Sequence, residues 1–431
     1  MPTNQPVGIA QLSELANTLQ SANLQQFLGK PGVRVVNETA FNDMKAHLTQ
    51  LYTGVQPQHS FVDSNGSVFD CIPIEQQPAL RGATPAAPVD MPMPERTIRL
   101  PLDVKRPTDI LPPLRAGEKD QYGNEMVCPE GTIPMRRITL EELTRFETLQ
   151  NFFRKGEGNS GRPPMAPPQT AVIDKPITGI PPGAPAPSHR WAHAFQNVPN
   201  LGGHSYLNVW QPGIGANQIF SLSQHWYVGG SGANLQTAEC GWQVYPQKYG
   251  RSNPVLFIYW TADDYTKTGC YNMDCSAFVQ VNNGWAIGAS IGPVSVAGGA
   301  QYEIQLAYYL YKGNWWLYLG GTAASNAIGY YPTSLYKGGA LAHNAAEIDY
   351  GGEVVGTTSW PGMGSGAFAN TGWQHAAYQR DIYYYPTGGG AVFANLTPSQ
   401  NWPKCYTAQV NSYGSPWFET LWFGGPGGSN C

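Results

Sequence analysis

The sequence predicts an all-β domain, a sandwich or a barrel, preceded by a smaller and partly helical unit. Short runs of Val, Ile, Tyr, Phe and Trp recur after residue 189, separated by Gly, Asn and Pro, as in residues 206–210 and 255–261. Polar and apolar residues alternate in several of these runs, as in strands with one packed face. Charged residues make up only 13% of the chain, too few to cover the outer faces of a helical bundle.

Aromatic and charged residues divide the chain into two parts. All 13 tryptophans lie at or after Trp191, and only Tyr52 and Tyr122 of the 24 tyrosines precede it. Of the 29 acidic and 25 basic residues, only 10 acids and 8 bases lie after residue 188. We therefore predict a charged front unit over residues 1–154, a linker over 155–188 and the β domain over 189–431.

The front unit carries helical patterns, and the linker carries none. Apolar residues recur at helical spacing over residues 9–27 and 41–51. Thr139 and Glu142 form a capping-box pattern that predicts a helix over 143–153. Residues 155–188 are rich in Gly and Pro, which predicts an extended segment that proteases can reach.

The charge and hydropathy of the chain exclude two classes of partner. The net charge is −4, whereas binding to nucleic acid requires a basic face. No run of 18 or more apolar residues is present, so we predict no membrane-spanning helix. We expect neither nucleic acid nor a membrane as a partner.

The seven cysteines suit disulfides better than metal binding. CxxC pairs are absent, and His189 and His193 have HxxxH spacing without the Glu of an HExxH motif, so we predict no metal site. Cys240 is left over and is interpreted as a buried structural thiol. The predicted disulfides are Cys71–Cys128, Cys270–Cys275 and Cys405–Cys431.

Three disulfides would require an oxidising compartment, which predicts a secreted or extracellular protein. Residues 1–8 do not have the pattern of a signal peptide. Either the export signal is missing from this sequence or the prediction of export is wrong.

The β domain offers few groups for catalysis. It lacks the GxSxG motif of serine hydrolases and the GxxxxGK[ST] motif of phosphate-binding loops. Glu239 and Glu353 stand out because each lies among Gly and aromatic residues in a predicted strand. A glutamate in a strand is ordinarily a solvated surface residue. Two of them in a charge-poor domain are the best candidates for a pair of catalytic carboxyls.

Several motifs of the β domain resemble those of the neprosin family, in the order in which that family has them. The front unit resembles the activation peptide of the same family, through Asp70-Cys-Ile-Pro73 and Cys128-Pro-Glu-Gly-Thr-Ile-Pro-Met-Arg-Arg137. The motifs of the β domain include Glu239-Cys-Gly-Trp-Gln-Val-Tyr-Pro246, Leu256-Phe-Ile-Tyr-Trp-Thr-Ala262, Thr268-Gly-Cys-Tyr-Asn-Met-Asp-Cys275, Gly313-Asn-Trp-Trp-Leu317, Ile328-Gly-Tyr-Tyr-Pro332 and Gly351-Gly-Glu-Val354.

The resemblance implies the latent precursor of a secreted glutamic endopeptidase that cleaves after proline at acid pH. It implies an antiparallel β-sandwich of two sheets, jelly-roll-like, with the two catalytic glutamates at Glu239 and Glu353. We expect no cofactor. The expected partners are proline-containing peptides or proteins as substrates and the chain's own pro-domain as an intramolecular inhibitor, and we expect a monomer.

Two carboxyls can hydrolyse a peptide without a metal or a covalent intermediate. Because two carboxylates held close together repel each other, one retains a proton and can donate a hydrogen bond to the substrate carbonyl. The other accepts a proton from the attacking water, and the sequence leaves open which glutamate plays which role. Trp242, Tyr259 and Trp260 are candidates for cleft walls that bind a proline ring, with ordinary core packing as the alternative.

The proline-rich linker predicts self-activation, because a proline-directed peptidase could cut its own linker. Protonation of front-unit carboxylates, whose usual pKa values are about 4, would weaken the ion pairs that hold the front unit on the cleft.

Two other functions remain open from the residues alone. A β-sandwich rich in Trp and Tyr with two glutamates also describes glycoside hydrolases, in which the separation of the carboxyls sets the stereochemistry. A non-catalytic binding module, such as a lectin or a structural wall protein, is the third possibility.

Overall fold

The computed structural model describes residues 6–80, 82–96, 106–114, 116–155 and 186–431. It is mostly β, with few helices and one large curled sheet, which confirms the predicted fold class. The predicted linker lies outside the described residues except at its two ends, Lys155 and residues 186–188.

The front unit combines short helices with a small three-stranded sheet in the order β1-β2-β4. Asn37 caps the second helix by accepting a hydrogen bond from the backbone of Ala40. The elements of the front unit are α1 (Leu12–Ser21), α2 (Glu38–Tyr52), β1 (His59–Val62), β2 (Val68–Pro73), β3 (Thr108–Asp109), β4 (Thr132–Arg136), α3 (Leu140–Leu143) and α4 (Leu149–Phe153).

The prediction of one helix over residues 143–153 is wrong in its extent. Thr139 caps α3, as predicted, by accepting a hydrogen bond from the backbone of Glu142. The helix ends at Leu143, and Thr148 caps α4 in the same way through the backbone of Asn151. A second cap within the apolar stretch therefore divides it into two short helices.

The β domain is a curled sheet that β5 holds together. This strand pairs along one half with β14 and along the other with β11, and it also contacts β15 and β17. The elements of the β domain are β5 (Ser188–Asn208), β6 (Gln218–Gly229), β7 (Gln236–Val244), α5 (Pro246–Tyr249), β8 (Val255–Thr261), β9 (Cys270–Tyr271), β10 (Val279–Gln280), β11 (Tyr302–Tyr311), β12 (Asn314–Leu319), β13 (Ala327–Pro332), β14 (Ala345–Gly356), β15 (Ala377–Pro386), β16 (Val392–Phe393), β17 (Thr397–Gln400), β18 (Thr407–Ser412) and β19 (Glu419–Gly424).

The order of the main path is β10-β13-β12-β11-β5-β14-β6-β7-β8-β9, and its neighbouring strands are antiparallel. The front unit joins this sheet, because β3 pairs in parallel with β11. The central strands β6, β7 and β14 are almost entirely buried. A polar side chain on these strands is therefore held in a defined environment.

All three predicted disulfides are present. They join Cys71 to Cys128, Cys270 to Cys275, and Cys405 to Cys431. Cys240 is free and buried, and burial raises the pKa of its thiol well above the usual value. Within the described ranges, no helix is both long enough and apolar enough to cross a membrane.

Candidate active site

Glu239 and Glu353 lie on the same face of the sheet, on two strands separated by β6. Glu353 is opposite Leu222, and Glu239 is opposite Trp226. Residues paired across antiparallel strands project to the same side, and Leu222 and Trp226 are an even number of residues apart on β6. The strand register therefore brings the two predicted catalytic glutamates together, although they are distant in the sequence.

A single lysine ammonium joins the two carboxylates. Lys155 Nζ lies 2.6 Å from Glu239 Oε2 and 3.0 Å from Glu353 Oε2. All three side chains are fully buried. The two Oε2 atoms are therefore no more than about 6 Å apart, a gap that one water molecule can span with hydrogen bonds of about 2.5–3.0 Å. Lys155 Nζ occupies the position that such a water would take.

Glu239 accepts three further hydrogen bonds from uncharged groups of the β domain. Thr237 Oγ1 and the Tyr265 hydroxyl donate to Oε1 at 2.7 and 2.6 Å, and Gln224 Nε2 donates to Oε2 at 2.7 Å. Burial, followed by the nearby Glu239 carboxylate, raises the pKa of Tyr265 well above its usual value, so its hydroxyl keeps its proton. These donors fix the orientation of the Glu239 carboxyl independently of Lys155.

Among the described residues of the β domain, Glu353 has one close side-chain partner, the imidazole of His189. His189 Nδ1 lies 2.5 Å from Glu353 Oε1, and both side chains are buried. The two glycines before Glu353 have no side chain, which lets neighbouring residues pack closely against the backbone at these positions. A Cβ on Gly351, whose φ is +150°, would lie 2.5 Å from the Cα of His193, and one on Gly352 would lie 2.6 Å from the sulfur of Met363.

Of the three predicted cleft residues, only Tyr259 lies on the face of the glutamates. It is opposite Glu239 in the β7–β8 ladder, and its hydroxyl hydrogen-bonds to the backbone of Lys155. Trp242 and Trp260 project to the other face because they are an odd number of residues from Glu239 and Tyr259 on the same strands. Trp242 is buried there, and its indole N–H donates to the carbonyl of Asn208. The interpretation of these two tryptophans as walls of the same cleft therefore does not fit their placement.

The sequence prediction missed five residues that contact the two glutamates. Thr237 and Gln224 could have been found by strand alternation, since they lie on the same face as Glu239 in neighbouring register positions. His189 stands out in the sequence only through its HxxxH spacing with His193. The five residues are Lys155, His189, Gln224, Thr237 and Tyr265.

A second, partly buried contact joins the front unit to the β domain. His47 of α2 lies against the loop of the Cys270–Cys275 disulfide, where its Nε2 donates to the carbonyl of Asp274 at 2.9 Å. Lys248 Nζ forms an ion pair with Asp274 at 2.8 Å and donates to the carbonyl of Phe152 at 3.1 Å. Burial lowers the pKa of both His47 and Lys248.

Residues 217–426 match the family described as Neprosin. This part of the chain is therefore similar to a neprosin domain. This match supports a peptidase, that is, a hydrolase. Among the described residues, no group of three or more His, Cys, Asp or Glu side chains is arranged to hold a metal ion.

Two solved structures of glutamic peptidases resemble part of the chain. Scytalido-glutamic peptidase with a transition state analog inhibitor is 9% identical, with a TM-score of 0.31, and the match covers 56% of this chain and 99% of that one. SCP-B, a member of the eqolisin family of peptidases in a complex with the tripeptide Ala-Ile-His, is 8% identical, with a TM-score of 0.30 and the same coverage.

Proposed function

We propose that this chain is the latent precursor of a secreted glutamic endopeptidase that cleaves after proline at acid pH. Glu239 and Glu353 are its catalytic residues, and the front unit is a pro-domain that inhibits the enzyme until the linker is cut. The observation that supports this best is the convergence of both carboxylates on the buried ammonium of Lys155, at 2.6 and 3.0 Å.

The proposed hydrolysis uses a water molecule that takes the place of the Lys155 ammonium between the two carboxyls. Once the ammonium leaves, a water can bridge the two carboxyls at ordinary hydrogen-bond distances. The ionised carboxyl takes a proton from this water as it attacks the substrate carbonyl, and the protonated carboxyl donates a hydrogen bond to the carbonyl oxygen. When the tetrahedral intermediate collapses, the proton held by the first carboxyl passes to the departing amine.

The contact with Lys155 supports a substrate-binding role for Tyr259. Its hydroxyl hydrogen-bonds to the backbone at Lys155, next to the side chain that bridges the glutamates. In the active enzyme, the same hydroxyl would be available to the backbone of a substrate near the bond to be cut. Trp242 and Trp260 have no such position, because both project to the opposite face.

Three disulfides support an oxidising compartment, and therefore secretion. The preference for proline rests on the family resemblance and on the prolines of the predicted linker. The substrates would be peptides or proteins that contain proline.

Peptide mapping tests the proposed specificity. The acid-treated protein, incubated with an unstructured proline-rich polypeptide, is expected to give fragments of which most end in proline. Mass spectrometry of the digest, with a matched polypeptide in which Ala replaces Pro, measures this preference. Equal cleavage of the two polypeptides would contradict proline specificity, and cleavage of neither would contradict the peptidase function.

His47 gives the latent form a pH dependence. Burial lowers its pKa below the usual 6.5, and the neighbouring Lys248 charge acts in the same direction, while the carbonyl and the charge of Asp274 partly oppose both. The released pro-domain therefore binds a proton at His47 more readily than the docked one does. The contact of neutral His47 contributes fully to docking above about pH 6.5, the usual pKa of histidine. This contribution is lost as the pH falls through the lowered pKa that His47 has in the docked state.

Replacing His47 by Gln is expected to move acid activation to lower pH. The Gln amide can still donate to Asp274 but cannot become charged, so we expect the midpoint of processing to fall by about half a pH unit or more. Gel analysis of processing across a pH series measures the midpoint. His59→Gln is the matched control, because His59 Nε2 donates to the carbonyl of Glu125 within the pro-domain. An unchanged midpoint in His47→Gln would rule out this role.

A further inference from the structure

The contact between His189 and Glu353 sets this carboxyl apart from its partner. Glu239 has three uncharged donors, whereas Glu353 Oε1 faces a ring that can carry a positive charge, at 2.5 Å. Among the described residues, His189 and Lys155 are the only bases in contact with either glutamate. When Lys155 leaves, His189 is the one of these two bases that still contacts a glutamate.

The His189 ring is held firmly in this position. It stacks on Trp191, with ring centroids 5.5 Å apart and planes 16° apart, and Phe220 meets it edge-on at 6.2 Å. Its Nε2 is buried and has no hydrogen-bond partner. The ring can therefore offer only Nδ1 to a polar group, and that group is Glu353.

The backbone around His189 is anchored by residues of the β domain. The Trp360 indole donates to the carbonyl of Ser188, and the Arg190 guanidinium donates to the carbonyl of His189. Arg190 itself lies between the rings of Trp360 and Trp402, at 4.2 and 4.0 Å from their centroids. A cut anywhere before Ser188 therefore leaves His189 beside Glu353.

The charges of the buried site indicate what His189 does after activation. Two buried carboxylates without a counter-ion are costly, and burying a charge is tolerated when it is paired. With an imidazolium at His189, the site is neutral when one glutamate is ionised and the other is protonated. Because His189 contacts Glu353, a positive charge on its ring favours the ionised form of Glu353 and leaves the shared proton to Glu239. Arg190, next to His189 in the sequence, is engaged with the two tryptophans, and Asp349, on the same strand as Glu353, pairs with His193 at 2.8 Å.

We infer that His189 is a positioning residue that holds Glu353 in its ionised form as the general base, which leaves Glu239 as the acid that hydrogen-bonds to the substrate carbonyl. This inference rests on the proposed peptidase function and extends it. In the reaction, the water gives one proton to Glu353, the oxygen forms a bond to the carbonyl carbon, and His189 keeps its own proton throughout.

The test is His189→Asn in the full-length chain. The Asn side-chain amide can reproduce the Nδ1 donor but cannot be charged. Tagged, activated wild-type protein cuts the linker of each variant and is then removed, so that slow self-processing is not mistaken for slow turnover. The initial rates on a proline-containing peptide give kcat and KM over a range of about pH 3 to pH 7. His343→Asn, at an exposed histidine, is the matched control.

We expect kcat of His189→Asn to fall about 10- to 100-fold with little change in KM, and the acid limb of its pH profile to move towards neutral pH. In His189→Ala, added imidazole is expected to restore part of kcat, because it can occupy the emptied site. Thermal unfolding shows whether each variant is folded.

Two outcomes would overturn the inference. One is a kcat for His189→Asn within about twofold of wild type, and the other is an equal loss at every pH in a folded variant that imidazole does not rescue. An inactive wild-type protein would instead overturn the proposed function, so the two failures are distinguishable.

Discussion

Replacing Glu239 or Glu353 by Gln is expected to lower kcat by about 10³-fold or more. At Glu353, the amide cannot accept the proton of the attacking water. At Glu239, the amide can still donate a hydrogen bond to the substrate carbonyl, but it is a weaker acid than a carboxyl. Because the two groups act on one water, the double variant is expected to lose little more than Glu353→Gln alone. Initial rates on a proline-containing peptide measure these losses.

A third glutamate of the β domain provides a matched control. Glu303 is also buried on a strand and paired with a cation, because Arg380 Nε donates to its Oε2 at 2.9 Å. Glu303→Gln is expected to lower the free energy of unfolding by about 3 kcal/mol, since it weakens a buried ion pair. Its kcat, measured well below the unfolding temperature, should remain near that of wild type. Similar losses of kcat in all three variants would show that buried glutamates matter here for folding and not for chemistry.

Self-processing separates the peptidase hypothesis from cleavage by a contaminant. Wild type and Glu239→Gln, incubated side by side at acid pH, should differ, with the linker cut only in wild type. Equal processing of the two proteins would contradict self-activation, although not the peptidase activity itself. A glycan-active protein would show neither cleavage nor a dependence on Glu239 in this assay.

Glu239 and Glu353 could be singled out as a pair because their signal is local. Glu239 and Glu353 each interrupt an apolar, Gly-rich strand in a domain with only ten acidic residues, so few candidates compete. The disulfides were predicted in the same way, from few cysteines with suggestive spacing. Strand alternation would also have separated Tyr259 from Trp260, since neighbours on one strand cannot both line the same cleft.

The remaining contacts depend on strand register and on domain docking, which local patterns do not contain. His189 meets Glu353 because β5 and β14 pair with Trp191 opposite Glu353, across 164 residues of sequence. Lys155 lies at the end of a segment whose composition resembles a linker, and nothing around it indicates a buried charge. The division of the predicted helix over 143–153 has a local cause, Thr148, but a threonine within an apolar stretch is a weak signal.

Replacing Lys155 by Met is expected to abolish most of the latency. Met keeps the length of the side chain but removes the charge, so two carboxylates would be buried in the docked state without the ammonium that bridges them. Removing one partner of a buried ion pair costs about 3–5 kcal/mol, which corresponds to a more than 100-fold weaker docking equilibrium. We therefore expect linker cleavage and peptidase activity at a pH at which wild type stays intact. Gel analysis and peptide hydrolysis at neutral and mildly acid pH measure both.

Matched variants show whether the effect comes from the bridging charge. Lys119→Met removes an exposed lysine of the pro-domain that pairs with Glu125 at 3.2 Å, and it should remain latent. Lys155→Met combined with Glu239→Gln should stay uncut, which would exclude cleavage of a loosened chain by another protease. If Lys155→Met is as latent as wild type, the ammonium does not maintain the inhibited state. Latency would then have to come from the other contacts of the pro-domain, of which the buried group around His47, Lys248 and Asp274 is the nearest alternative.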